Sequence, residues 1–157
     1  MSAIPTYEEA LAKLQRYCAY QERCHSEVRT KLISIKCYGD QLEEVISALI
    51  QDDYLNELRF AKTYTSGKYR LKAWGRNKII QALKKKNISE YCIRKGIESI
   101  DELDYMESLE RALLKYQYKY DHLDHFTLRG KLFKYGINKG YTHSELNSVL
   151  DKLIIPN

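Results

Sequence analysis

Proline is nearly absent from this chain: the two it has, Pro5 and Pro156, stand at its ends. A proline inside a helix removes a donor and clashes with the preceding turn, so an interior free of it permits helices throughout. Glycine is scarce and scattered, and no glycine falls into a phosphate-cradling loop or a dinucleotide fingerprint. Nucleotide enzymes built on those loops are therefore excluded. No apolar run approaches the ~20 residues needed to cross a bilayer. Nor does a basic segment followed by an apolar run open the chain, so no secretory leader is expected. Cys18, Cys24, Cys37 and Cys92 lack the paired two-residue spacing of zinc or redox motifs, and read as reduced structural thiols. These absences predict a cytoplasmic protein without membrane contact, metal or cofactor.

What remains is amphipathic and charged. Apolar residues at 44% and charged residues at 30% exclude general disorder and fit a helix-rich protein. Thr6 and Glu9 form a capping-box pair, after which Ala10, Leu11, Leu14 and Cys18 mark one face at helical spacing. A second helix is predicted from near Ser26, with Val28, Leu32 and Ile35 on one stripe and Gly39 ending the segment. Asp40 with Glu43 opens a third, whose face is Leu42, Val45, Ile46 and Leu49.

The same order then recurs. Val28 and Leu32 correspond to Ile79 and Leu83, and again to Leu128 and Leu132. Ile93, Ile97 and Ile100 repeat the following helix, as do Leu146, Val149, Leu150 and Leu153. Ser89 offers one N-cap and Thr142 with Glu145 another capping box, while the unit-opening helices fall roughly at 54–66 and 104–120. Tyr116, Tyr118 and Tyr120 alternate with polar residues at a strand period, but their place at the end of a helical pattern favours helix. The reading is all-α: an elongated, curved array of three tandem three-helix units over 1–53, 54–102 and 103–157.

Catalytic signals are poor. His122 and His125, beside Asp121 and Asp124, form the best metal-like cluster, and read more simply as a polar turn between two helices. Cys24 and His25 are adjacent, which on a helix turns their side chains about 100° apart. The acidic pair Asp52 and Asp53 reads as favourable charge beside a helix start. No residue nominates a reaction, and the expectation is a protein that is not an enzyme.

The charge is uneven. Residues 1–56 hold 6 Lys+Arg against 9 Asp+Glu, residues 57–102 hold 12 against 5, and residues 103–157 hold 8 against 7. An anionic partner therefore meets the middle third. There Arg70, Lys72, Arg76 and Lys78 interleave with Tyr69 and Trp74, and Lys84, Lys85 and Lys86 follow. Basic groups neutralise phosphates and aromatic faces stack on bases. Two readings stay open for some of them. Trp74 serves as a packing plug or a contact, and Lys84 to Lys86 complement a helix dipole or meet a partner. The same patch also suits an acidic protein surface.

The stretch DDYLNELRFAKTY, Asp52 to Tyr64, resembles the signature of the RecX family, with Tyr54, Leu55, Arg59, Phe60 and Ala61 as its structural residues. WGRNKIIQALKKKNIS from Trp74, KGYTHSELNSVL from Lys139 and SEVRTKL from Ser26 are similar to further family elements in order. The sequence departs at Lys86-Asn87-Ile88, where the family has Lys-Gly-Ile, yet asparagine tolerates the left-handed backbone better than most residues. The resemblance implies a regulator of the RecA recombinase in homologous recombination, DNA repair and the SOS response, and with no clear sequence signal for symmetric self-association a monomer is expected. It would bind the RecA–single-stranded DNA filament, meeting DNA through the filament, and restrain its growth, ATP hydrolysis and strand exchange. Its RecA- or DNA-binding residues are then expected among Arg70, Lys72, Trp74, Arg76, Lys78, Lys84 and Lys85. The rival readings are a stand-alone helical nucleic-acid-binding module and a generic helical scaffold.

Overall fold

A computed structural model describes residues 3–155 and contains nine α-helices, one 3₁₀ turn and no strand among the described residues. The helices are α1 (Tyr7–Tyr20), α2 (His25–Ser34), α3 (Gly39–Gln51), α4 (Glu57–Leu71), α5 (Arg76–Lys85), α6 (Glu90–Glu98), α7 (Glu102–Gln117), α8 (His125–Lys139) and α9 (His143–Leu153). Each triplet packs on itself: α1 and α2 against α3, α4 and α5 against α6, and α7 against α8 and α9. The tyrosine alternation resolves as the end of α7 followed by the 3₁₀ turn Tyr118–Tyr120.

Local capping explains most of the helix starts. Thr6, Asn56, Ser89, Asp101, Asp124 and Thr142 each accept a hydrogen bond from the backbone N–H three residues on. Thr142 and Glu145 satisfy each other's amides reciprocally. Two starts differ from expectation. Cys24, not Ser26, precedes α2; its N–H donates to Glu27 at 3.0 Å, which frees the Ser26 hydroxyl to donate to the Lys86 carbonyl. Helix α3 begins at Gly39 after Tyr38, and Glu43 pairs with Arg29 at 2.7 Å instead of capping. The acidic pair also moves: Asp52 and Asp53 end α3, and the helix start after them is capped by Asn56.

The repeat extends to the backbone. Lys36, Asn87 and Gly140 follow α2, α5 and α8 and all have positive φ. The next N–H in each case, on Cys37, Ile88 or Tyr141, donates back to the carbonyl of Leu32, Leu83 or Gly136. That is the Schellman closure, and it needs a left-handed residue at each site. Asn87 supplies one at φ 62°, as its chemistry allows. The apolar matches hold when the helices are aligned at their starts, where Val28, Ile79 and Leu128 each fall fourth and all are buried. Helix α8 has 15 residues against 10 for α2 and α5, so the third unit extends beyond that shared start.

Two apolar clusters result. The first gathers Ala10, Leu14, Leu32, Val45 and Leu49 of the opening triplet, with Leu55. The second is continuous across the other two triplets, from Phe60 and Ala61 through Leu83, Leu109 and Leu132 to Leu150.

Candidate functional site

The sequence-selected basic residues fall around the junction of α4 and α5, where Ala73 takes a left-handed conformation and turns the chain. Trp74 there is half-buried against the second core. The Lys68 and Lys78 ammonium groups lie 4.7 and 4.6 Å from its ring centroid, so the ring is flanked by two cations. Packing and cation contact therefore coincide at this residue.

The four central cations differ in their freedom. Arg76 is held on three sides: its guanidinium pairs with Glu102 and Glu145, and lies 4.1 Å over the Tyr105 ring. Its backbone N–H donates to the Tyr105 hydroxyl at 3.0 Å. Arg70 reaches Asp104 at 3.1 Å across an exposed edge. Lys72 is exposed, and Lys78 engages only the Trp74 ring in any charged or aromatic contact of the described residues. Lys84 and Lys85 are also exposed, but sit at the far end of α5, about 9 Å along its axis from Lys78. Lys84 borders a shallow apolar depression with Ile80, Ile93 and Ile97, away from the Trp74 turn.

The turn carrying these residues is locked to the third unit. Gly75 N–H donates to the Lys139 carbonyl at 2.7 Å, and Asn77 N–H to the Gly140 carbonyl at 3.1 Å. A Cβ on Gly75 would stand 2.3 Å from the Gly140 carbonyl carbon, which permits no side chain. Tyr141 donates its hydroxyl to the Ala73 carbonyl at 3.0 Å, and Tyr69, Tyr105 and Tyr141 pack ring against ring beneath. Burial pushes the Tyr105 and Tyr141 phenols well above the ordinary tyrosine range. Both stay neutral donors at physiological pH.

Beside this joint opens a groove of about 520 Å³ lined by Arg70, Lys72, Arg111, Lys115, Lys119 and Lys139. Only the first two were selected from the sequence. A signal for the others was present, since Arg111, Lys115 and Lys119 recur every fourth residue in one helical pattern. Lys139 is contributed by tertiary contact, and no local pattern announces it.

The signature residues occupy the other joint. Tyr54 and Leu55 pack into the first core, Phe60 and Ala61 into the second. Between them Arg59 reaches Glu22 at 2.6 Å and Asp53 at 2.9 Å. Opposite Ala61, Gly96 is small for a reason: a Cβ there would lie 3.0 Å from the Ala61 carbonyl oxygen, so α4 and α6 run close together.

The candidate reactive groups have structural roles. Cys18, Cys24, Cys37 and Cys92 are all buried and unpaired. Burial pushes the Cys18 thiol up to about 11 and raises Cys24 and Cys37, which disfavours the nucleophilic thiolate. Asp124 caps α8 by accepting from the Thr127 N–H and hydroxyl, and these bonds hold its carboxyl below the usual range. Among the described residues no group of three or more His, Cys, Asp or Glu is arranged to hold a metal ion, and no helix is long and apolar enough to cross a membrane.

Comparison with known proteins agrees with this architecture. Residues 56–97 match the second three-helix domain of RecX. A regulatory protein RecX of Clostridium perfringens (strain SM101 / Type A) is 32% identical over 133 residues, covering 83% of this chain and 62% of the relative. One from Clostridium tetani is 31% identical, covering 82% of this chain and 59% of the relative. The chain thus spans about three fifths of the length of these relatives. The crystal structure of RecX from Lactobacillus salivarius superposes with a TM-score of 0.81 at 22% identity, covering 94% of this chain and 96% of that one. A second crystal structure of a regulatory protein RecX gives 0.82 at 21% identity over 92% of this chain and 73% of that one. With its ordered signature elements and three-unit helical fold, the chain is similar to RecX proteins over most of its length.

Proposed function

We propose that this protein is a regulator of the RecA recombinase. It binds the RecA–single-stranded DNA filament and restrains its growth, ATP hydrolysis and strand exchange. The observation that carries the reading is similarity: relatives named regulatory protein RecX align over four fifths of the chain. The basic surface around Trp74 supplies a physical means. Lys72 and Lys78 are the free cations there, with Arg70 held only by one exposed partner, and they provide the electrostatic attachment. Lys84 and Lys85 offer a second, separate contact. Arg76 supports this surface by fixing the α4–α5 turn against α7 and α9. The protein performs no reaction of its own, and acts as a monomer in the cytoplasm. Contacts along a repeating polymer reinforce one another, which suits a chain of tandem units.

The test is ATP hydrolysis by the cognate RecA on single-stranded DNA, with this protein titrated in. Suppression at concentrations too low to coat the bare DNA is the expected result. Unchanged hydrolysis at saturating protein overturns the reading. Replacing Arg70, Lys72 and Lys78 with alanine is expected to raise the half-inhibitory concentration at least tenfold, with the melting temperature kept.

A further inference from the structure

Lys139 enters the groove at the second joint from the end of α8, and it differs from the other lysines there. Lys72, Lys115 and Lys119 are exposed, whereas Lys139 is half-buried. Its side-chain nitrogen donates to the Lys72 carbonyl at 2.9 Å and lies 5.7 Å from the centroid of the Tyr135 ring. No carboxylate lines the groove, and among the described residues Lys139 has no ion-pair partner. The charges around it are cations: Lys72 after α4, Lys78 on α5, and Arg111 and Lys115 on α7.

A lysine is nucleophilic only as the neutral amine, and burial beside other cations favours that form. Both conditions hold at Lys139: burial first, then Lys78 and Lys72, hold its ammonium below the ordinary lysine range. The bond to the Lys72 carbonyl keeps the nitrogen at the groove wall, so it does not sweep through solvent. The cavity, about 520 Å³, is large enough for a small molecule. Arg111 and Lys115 stand one turn apart on α7, and Arg111 donates only to the neutral Ser108 hydroxyl at 3.4 Å. Guanidinium and ammonium groups left free in this way bind phosphate oxygens by charge-assisted hydrogen bonds. A nucleophile and a phosphate seat therefore share one cavity.

We propose that Lys139 is an acylation site, which takes its acyl group from a small acyl phosphate seated by Arg111 and Lys115. The ammonium first loses a proton to solvent. The amine nitrogen then attacks the acyl carbon and forms the amide bond, while the bond from that carbon to the phosphate oxygen breaks. The phosphate departs with the electron pair and takes the surplus proton from nitrogen. The product amide keeps one N–H for the Lys72 carbonyl but has lost the charge. The groove's field therefore falls while the joint stays closed. This chemistry needs no recombinase.

The experiment incubates the full chain with acetyl phosphate and follows each lysine by peptide mass spectrometry. Lys139 is expected to be acetylated about tenfold faster than the exposed Lys84 and Lys85, and inorganic phosphate should slow it by competition. Its rate should also reach a plateau at lower pH than that of a lysine in a short peptide. The double variant R111Q/K115Q should lower the Lys139 rate about tenfold with acetyl phosphate. With an uncharged acetyl thioester, S-acetyl-N-acetylcysteamine, the same variant should react at Lys139 as fast as the parent. That unchanged rate, together with the parent's melting temperature, shows that the variant is folded and its amine intact. Acetylation of Lys139 no faster than of Lys84 overturns the proposal. An undiminished rate in R111Q/K115Q with acetyl phosphate overturns it too, as does an equal loss with both reagents.

Discussion

The two joints between units are built from different materials. At the first, side chains reach across: Arg59 to Glu22, Ser26 to the Lys86 carbonyl, and Lys86 to Glu27 at 3.9 Å. The apolar clusters on either side remain separate, apart from Cys24, which joins the second. At the second, backbone meets backbone through Gly75 and Gly140, and one core runs through both units. Part-exposed charge pairs contribute little, whereas shared apolar burial and satisfied backbone groups contribute much. The first joint is therefore where the chain opens locally, and the last two units act as one body.

The most severe way to break this contrast is Gly75→Ala. The new Cβ would lie 2.3 Å from backbone carbon and oxygen of Gly140, which no side-chain rotation relieves. Forcing these strands of chain apart also strains two backbone hydrogen bonds, and the expected loss is about 3 kcal/mol or more. Urea unfolding followed by Trp74 fluorescence measures it, since the sole tryptophan sits at this joint. A loss under 1 kcal/mol would mean that the joint yields easily.

Core truncation separates the two bodies. Leu32 and Leu83 occupy equivalent places in α2 and α5 and are both fully buried. Leucine to alanine at either costs about 2 to 5 kcal/mol. Leu83→Ala should shift the Trp74 transition, while Leu32→Ala should shift an earlier helix-loss transition seen by circular dichroism and leave Trp74 nearly unmoved. Coincident transitions in the parent and in both variants would show one cooperative unit instead.

Alkaline pH offers a gentler separation. A thiol whose folded pKa is raised stays protonated in the fold after the unfolded chain has released its proton. Its contribution is full below the unfolded value near 9 and is lost as pH rises through the folded value. For Cys18, raised to about 11, that loss is about 3 kcal/mol. Cys37 in the same core and Cys24 in the second share the direction. Tyr105 and Tyr141 begin to act on the second core only near pH 10. Between pH 9 and 10 the first transition should fall more steeply than the Trp74 transition. Cys18→Ala should flatten most of that difference.

The joints also show what the sequence made legible. Helix order, the capping of α1, α6 and α9, and the buried stripes follow from local spacing, because periodicity reports directly which face avoids water. Asn87 was readable for the same reason, as a left-handed position has few suitable residues. The first joint was half readable: Arg59 and Phe60 stood out, but not their division between two cores. The second was hidden. Gly75 must be glycine because it touches Gly140, 65 residues away in sequence. Likewise Arg70 and Lys72 were visible in a basic run, while the partners completing their groove come from another unit. Arg76, grouped with them by composition, is instead tied to Glu102 and Glu145. Charge along a chain does not distinguish a cation facing solvent from one spent on a neighbour.

The smallest effect tests whether the glycines of the second unit owe their roles to place alone. Gly67 lies inside α4, and a Cβ added there meets nothing within 4 Å. Glycine in a helix interior sacrifices backbone entropy that alanine does not, about 0.5 to 1 kcal/mol. Gly67→Ala should therefore stabilise the same Trp74 transition that Gly75→Ala destroys, although the residues are eight positions apart. The thermal shift should be a few degrees upward, with no change in the earlier transition. A downward shift would mean that α4 needs its glycine for something other than space.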